Sequence, residues 1–320
     1  MIAEPAIGDA RYSAAMSGGP PSQVLILGYG AFGRAVHGAI SHRPDVEVSV
    51  YSRSPKDHLH PPAQAFGRPT EIPATSFDVV IVALPGHAMR EILGAAFADA
   101  ASDVAFLSCV KGMEPATGLL PSEVIYQATG SDHLAVMSGA SFADEMLLGR
   151  PVFLTLACAN LLLGAELIER LRSPQLRLEL TDDVRGLEVA GVGKNIIALG
   201  AGLADGLGLG DNFRAAFIAR GVVELRMVAD RLGGQADTIV AAGALADFFL
   251  SCSSPRSRNY AHGVSIGRGD TEPVALAEGR HSASGFVEML RAQHIRSAYF
   301  ETIAEALANP PLIAASLPDS

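Results

Sequence analysis

The stretch QVLILGYGAFG, residues Gln23 to Gly33, decides the fold. An apolar run from Val24 to Leu27 leads into Gly28, Gly30 and Gly33, spaced G-x-G-x-x-G and opening a helical pattern. The first glycine allows a tight turn, the second lets a pyrophosphate approach the backbone, and the third lets helix and strand pack closely. The free amides of the helix start suit negative charge, so Gly28, Gly30, Ala31, Phe32 and Gly33 are candidate cofactor contacts. Taken alone the spacing is weakly specific, and its place at the first strand of a βαβ unit is what makes it informative.

Working outward, short β-branched runs alternate with helix-period segments as far as Leu180, the pattern of a parallel sheet wound with helices. Strands are expected at 24–28, 46–51, 78–84, 104–110, 134–139, 152–157 and 176–180. From Thr181, read as an N-cap before the acidic turn Asp182-Asp183, the strands stop. Helices are expected from 181 to about 205, then at 212–232, 237–251, 256–263, 271–278 and 285–308. The fold class is therefore α/β: a Rossmann-type doubly wound sheet over residues 22–180, an all-helical C-terminal domain over 181–320, and a cleft between them. Residues 1–21 read as a disordered extension, with Met16 as an alternative start; they carry neither a signal-peptide pattern nor an anchor.

Composition bounds the function. The chain has 320 residues, 49% hydrophobic and 18% charged, with a formal net charge of −10. That charge argues against nucleic acid or an anionic membrane surface as partner, so an anionic ligand needs a local basic pocket. Cys109, Cys158 and Cys252 lack both metal-ligand spacing and a disulfide framework, which points to a reducing cytosol. The apolar stretches at 152–163 and 189–204 are too short to cross a bilayer, and the nine histidines lack paired ligand spacing, so neither a membrane span nor a metal is expected.

Only three lysines stand against 21 arginines, and two of them, Lys111 and Lys194, lie in Gly-flanked apolar stretches, VKGMEPATG and GVGKNIIALG. Lysine supplies what arginine cannot, a compact ammonium able to give up a proton; the plainer alternative is that each snorkels from a half-buried position. The second strand ends Tyr51-Ser52-Arg53-Ser54 rather than in an acid. An arginine between hydroxyls suits a ribose 2′-phosphate, so NADP(H) is expected to be accepted and possession of a preference for NADPH is the sharper expectation; a solvated loop arginine is the other reading. Asp247 sits in the apolar run ALADFFL, where an unpaired carboxylate is costly.

With the glycine turn, VKGMEPATG, SGASFADEM, GVGKNIIALGAGLADGLGLGDN and SPRSRN in this order, the chain resembles the bacterial NAD(P)-dependent glycerol-3-phosphate dehydrogenases over about residues 23–300. The resemblance implies reversible reduction of dihydroxyacetone phosphate to sn-glycerol 3-phosphate by NAD(P)H, for phospholipid synthesis, in a cytoplasmic homodimer. It places the catalytic lysine on Lys194, desolvated among Gly191, Gly193 and Ala198, with burial drawing its pKa toward neutrality. Lys111 becomes a second active-site lysine touching cofactor and substrate, and Asp247 a partner of Lys194 and of the substrate hydroxyl, with a purely structural ion pair as the alternative. Gly139 and Ser141 fall on the substrate loop and Ala143 on its cofactor side, although Ser141-x-x-Asp144 also reads as a capping box. Ser257, Arg258 and Asn259 follow the cap-and-proline pair Ser254-Pro255 and form the expected phosphate site, with Arg258 also reaching the cofactor. Leu276 and Glu278 correspond to a loop that returns to the cofactor.

The chain departs from that pattern in places. Ala140 stands where a proline is expected, Ala244 and Ala246 where glycines are, and Tyr260 and Ala261 where basic residues follow Asn259; after Gly279 come Arg280, His281, Ser282 and Ala283. Charge-handling residues are kept while pocket-shaping ones change. A dehydrogenase of another small phosphorylated or carboxylated ketone, or a non-catalytic NADP(H)-binding sensor, are the competing readings.

Overall fold

A computed structural model describes residues 20–54, 59, 62–98, 104–270 and 278–317. In chain order the elements are β1 (Ser22–Leu27), α1 (Ala31–Ile40), β2 (Val46–Tyr51), β3 (Gln64–Phe66), β4 (Val79–Val82), α2 (Met89–Phe97), β5 (Ala105–Ser108), α3 (Pro121–Thr129), β6 (Leu134–Ala140), α4 (Ala143–Leu147), β7 (Val152–Ala157), α5 (Leu161–Leu171) and β8 (Leu176–Thr181). Helices follow: α6 (Val184–Gly206), α7 (Asp211–Arg231), α8 (Ala242–Cys252), α9 (Arg258–Arg268), α10 (Glu278–Ala292) and α11 (Ala298–Ala306).

The eight strands form one sheet in the order β3-β2-β1-β4-β5-β6-β7-β8. Strand β1 shows why it is covered on both faces: Val24 and Ile26 join the core on one side, Leu25 and Leu27 the core on the other. Strands buried on both faces read as continuous apolar runs. The sheet is not wholly parallel, because β7 runs antiparallel to β6. Residues 141–151 hold only the short α4 and are too few for the crossover a parallel pair requires. The three-residue edge strand β3, paired with β2, was too short to show in the sequence pattern.

Several boundaries differ from the sequence reading. Thr181 ends β8, and the cap of α6 is Asp183, whose Oδ1 accepts from Gly186 N at 2.8 Å. Its Oδ2 accepts from Gln235 N and Thr238 Oγ1, tying the start of α6 to the segment before α8. The expected helix 237–251 is a 3-10 turn, Ala236–Val240, followed by α8. The helix expected at 256–263 is α9, capped by Ser257 rather than Ser254, whose hydroxyl instead accepts from Arg256 N. The expected 285–308 helix is two, α10 and α11, separated where His294 takes φ +57°. The disordered extension at 1–21 and the helix at 271–278 fall almost wholly outside the described residues.

Helix α6 is the axis of the C-terminal half. Among the described residues it alone is long and apolar enough to cross a membrane, and it is buried inside the fold. Its core continues into Val136 and Ala157 of the sheet and Met113 and Leu120 of the loop after β5, so sheet and helices share packed side chains. Helix α9 lies against α6 with almost no separation. A Cβ on Gly263 would come within 2.0 Å of Leu199 O, and one on Gly202 within 2.0 Å of Tyr260 O. Gly263→Ala should therefore force the two helices apart and cost about 1–3 kcal/mol of stability, as overpacking of a close core contact does, read from the denaturant midpoint.

Candidate active site

One cleft of about 1040 Å³ collects the carboxyl ends of β1, β2, β4 and β5, the loop after β6, and the facing sides of α6, α8 and the start of α9. Open α/β sheets bind ligands at this edge. The Gly-rich turn forms one wall. Gly28 takes φ +100°, and a Cβ there would strike Ala83 O at 2.5 Å; one on Gly33 would strike Gly28 O at 2.0 Å. Gly30, at the start of α1, has nothing within 4 Å of its Cβ position. The turn is thus closed where strand, helix and neighbouring strand meet and open at its middle, a cradle a dinucleotide pyrophosphate fits at the free amides of α1. Arg53, exposed beyond β2, stands on the same cleft.

Opposite lies a buried charge cluster. Lys111 follows β5, Lys194 sits on α6 and Asp247 on α8, and all three converge. Lys111 Nζ donates to Asp247 Oδ2 at 2.7 Å and to Gly139 O at 2.9 Å. Lys194 Nζ stands 3.3 Å from the same Oδ2 and donates to Ser251 Oγ at 3.3 Å. Ser251 in turn donates to Asp247 Oδ1 at 3.0 Å. Burial pushes the Lys194 pKa down; Asp247 opposes that and Lys111 adds to it, leaving the amine below the ordinary lysine value. Burial alone would raise the Asp247 pKa, and the two ammonium groups override it and hold the carboxyl below the usual range.

The third region is the start of α9. Ser257 caps it through Tyr260 N, Asn259 is buried, and the exposed Arg258 forms no ion pair among the described residues. A helix start and a guanidinium with no ion pair among the described residues together suit a phosphate. Beside it Arg256 is already engaged, reaching Asp144 at 2.6 and 2.8 Å, Glu145 at 2.7 Å and the ring face of Phe142.

Two halves of the chain match successive family models, the NAD-dependent glycerol-3-phosphate dehydrogenase N-terminus over residues 70–163 and its C-terminus over residues 183–311. The glycerol-3-phosphate dehydrogenase [NAD(P)+] of Gluconobacter oxydans is 32% identical over 300 residues, 89% of this chain and 92% of that one. That of a Chelativorans species is 37% identical over 227 residues, covering 71% and 69%. The chain belongs to the NAD-dependent glycerol-3-phosphate dehydrogenase family. A crystal structure of the glycerol-3-phosphate dehydrogenase from Coxiella burnetii, 24% identical, shares the fold with a TM-score of 0.82 over 93% of this chain and 99% of that one.

Within this glycerol-3-phosphate dehydrogenase frame, the cleft brings together Gly28, Gly30, Ala31, Phe32, Arg53, Lys111, Ser141, Ala143, Lys194, Asp247, Ser257, Arg258 and Asn259. Gly33 and Gly139 stand behind it. Gly139, at φ +147°, would bring a Cβ to 2.9 Å from the β7 backbone, and it serves the site through its carbonyl. The capping box does not form: α4 starts after Phe142, and Ser141 Oγ donates to Gly139 O. Leu276 lies outside the described residues, as does the side chain of Glu278, whose backbone opens α10. Three participants were missed by sequence reasoning. Asn195, next to Lys194, donates to Lys111 O at 3.1 Å; Ser251 sits four residues after Asp247, the helical spacing that signals such a pair; Arg256 gave no signal, since its acids are remote in sequence.

Asp247→Asn leaves two ammonium groups facing each other without an anion. Breaking such a pair costs about 3–5 kcal/mol, except that Lys194 can escape by losing its proton. Without Asp247 its folded pKa falls further below the unfolded value, so between the two the unfolded chain binds more protons and stability rises with pH. Denaturant titrations should find the variant's deficit larger near pH 6 than near pH 9, where that relief is more complete.

Proposed function

We propose that this chain reduces dihydroxyacetone phosphate to sn-glycerol 3-phosphate with NAD(P)H, reversibly, as a cytoplasmic homodimeric enzyme that feeds phospholipid synthesis. The observation that carries the reading is the buried Lys111–Asp247–Lys194 cluster facing the Gly-rich cradle across one cleft. Family membership supplies the reaction class.

The groups divide the work by position. The turn Gly28–Gly33 with α1 would hold the pyrophosphate, and Arg53 the adenosine end. The start of α9 with Arg258 takes the substrate phosphate; a guanidinium beside helix amides suits phosphate or carboxylate alike, and family membership is what favours the phosphorylated ketone. A reduced nicotinamide held by the Gly28–Gly33 turn would supply the hydride that the carbonyl carbon receives. Reduction places negative charge on the carbonyl oxygen, which must receive a proton. An ammonium has three N–H groups; Lys194 directs one at Ser251 and one at Asp247, leaving the third for that oxygen. Its pKa, already below the lysine range, brings the amine nearer the operating pH, which is where an acid works best. Lys111, held by Asp247 and Gly139 O, adds positive charge on the oxygen side without moving. In the oxidative direction the neutral Lys194 amine accepts the alcohol proton.

Initial-rate oxidation of NADPH with dihydroxyacetone phosphate tests the reaction and the acid together: Lys194→Met should lower kcat by about 100-fold or more, as removal of a general acid does. Failure of wild type to turn over this substrate, with cofactor bound, would sink the reading. For wild type, kcat/KM for reduction should fall as pH rises through the Lys194 pKa, which lies below 10.5, because the protonated amine is the reactive form.

Arg53 bears on cofactor choice. Arg53→Ala should raise KM for NADPH by about tenfold, the scale of one charge-assisted hydrogen bond, and leave KM for NADH nearly unchanged. Equal effects on both would remove the 2′-phosphate role.

A further inference from the structure

The Gly-rich turn is tethered by a side-chain pair that no step above uses. Tyr29, the residue between Gly28 and Gly30, lines the cleft, and its Oη lies 2.7 Å from Nδ1 of His37, eight residues on along α1. His37 is fully buried, and its Nε2 has no hydrogen-bond partner among the described residues. A buried imidazole with one nitrogen unsatisfied is a standing cost, and among the described residues Tyr29 is the partner that satisfies the other nitrogen. The bond joins the tip of the turn to the body of the helix: Gly28 leaves β1 with positive φ, Gly30 begins α1, and the residue between them is fixed by an atom seated in the second turn of that helix.

We propose that His37 is a positioning residue for the dinucleotide: through Tyr29 it holds the Gly28–Gly30 backbone in the conformation that receives the pyrophosphate. The inference rests on the cofactor half of the proposed function and not on the identity of the ketone. A preformed cradle binds without first ordering itself, so loss of the tether lowers cofactor affinity and leaves the chemical step alone.

The test is a fluorescence titration of NADPH and NADH against wild type, Tyr29→Phe, His37→Leu, the double variant and His37→Asn, with no ketone present. Each of the first two should raise Kd for both cofactors by about three- to tenfold, the range of one net hydrogen bond. The double variant should be no weaker than the weaker single, because both remove the same interaction. His37→Asn, which can place an amide near the position of Nδ1, should recover most of the affinity. Under saturating substrates His37→Leu should keep kcat within about twofold. A Kd unchanged in both single variants, or single effects that simply add, would overturn the proposal, as would a lowered melting temperature with no change in Kd. Tyr29→Phe keeps the ring and its packing, so it reports even if the substitutions at buried His37 prevent folding. Cofactor binding that responds as described, in a protein that turns over no dihydroxyacetone phosphate, would count against the reaction and not against the tether.

Discussion

A single carboxylate carries the site. Asp247 is 4% exposed, and it compensates two ammonium groups drawn from different elements, Lys111 from the end of β5 and Lys194 from α6. Buried charge is tolerated only when paired and hydrogen-bonded, and here Oδ2 faces both lysines while Oδ1 accepts from Ser251. One negative charge between two positive ones leaves a net cation in a desolvated place. That surplus has a direction: it favours an anion or a developing oxyanion in the space the cluster faces, and it disfavours the protonated form of the more buried lysine.

Because three elements must meet within hydrogen-bonding distance, much of the remaining structure works to place them. Helix α8 is docked on the sheet through Gly243, whose amide donates to Glu179 on β8, and Glu179 also accepts from Thr155 on β7. An added Cβ at Gly243 would overlap Thr155. Helix α6 is fixed at its start by Asp183 and, one turn further, by Glu188, whose carboxylate accepts from the backbone and hydroxyl of Ser122 at the start of α3. Burial pushes Glu188 up to about 7, and the two Ser122 bonds oppose that shift. The loop carrying Lys111 is held at both ends: Asn195 binds its carbonyl, and Glu114 accepts from Arg90 on α2. Side chains fixed in this way need little reorganisation as charge develops, the condition under which electrostatic stabilisation is strongest.

Local signals carried the fold, and long-range ones did not. Gly28, Gly30 and Gly33 announced a strand, a turn and a helix because each glycine meets a different steric demand in adjacent residues. Lys111, Lys194 and Asp247 stood out because a charged side chain in an apolar run has to be explained. The antiparallel turn of β7 and the engagement of Arg256 were invisible, since both depend on which distant residues lie opposite. The cap of α6 was misplaced by two residues for a related reason: Thr181 and Asp183 are both good caps, and the continuation of β8 to Thr181 beside β7 decides between them. The Ser141 box failed similarly, its hydroxyl being turned toward Gly139 O while Asp144 pairs with Arg256.

The substitutions that set this chain apart also acquire a physical meaning. Tyr260, where the family pattern has a basic residue, is buried, and its hydroxyl donates to Asp205, which Arg214 pairs at 2.6 Å. Tyr260 thus joins α9 to an Asp205–Arg214 ion pair linking α6 and α7. Arg256, three residues before Asn259, would restore positive charge there, yet Asp144 and Glu145 already neutralise it. At the mouth of the cleft Arg258 has no ion pair among the described residues. In a chain of net charge −10, long-range attraction of an anionic substrate is absent, and distant charges are screened within about 8–10 Å in any case. On the proposed function, recognition would then come from contact: the start of α9 and one forked guanidinium at one end, the buried lysine pair at the other. The distance between those two ends, set by how closely α9 lies on α6, would on that function be the measure by which a small phosphorylated ketone is accepted.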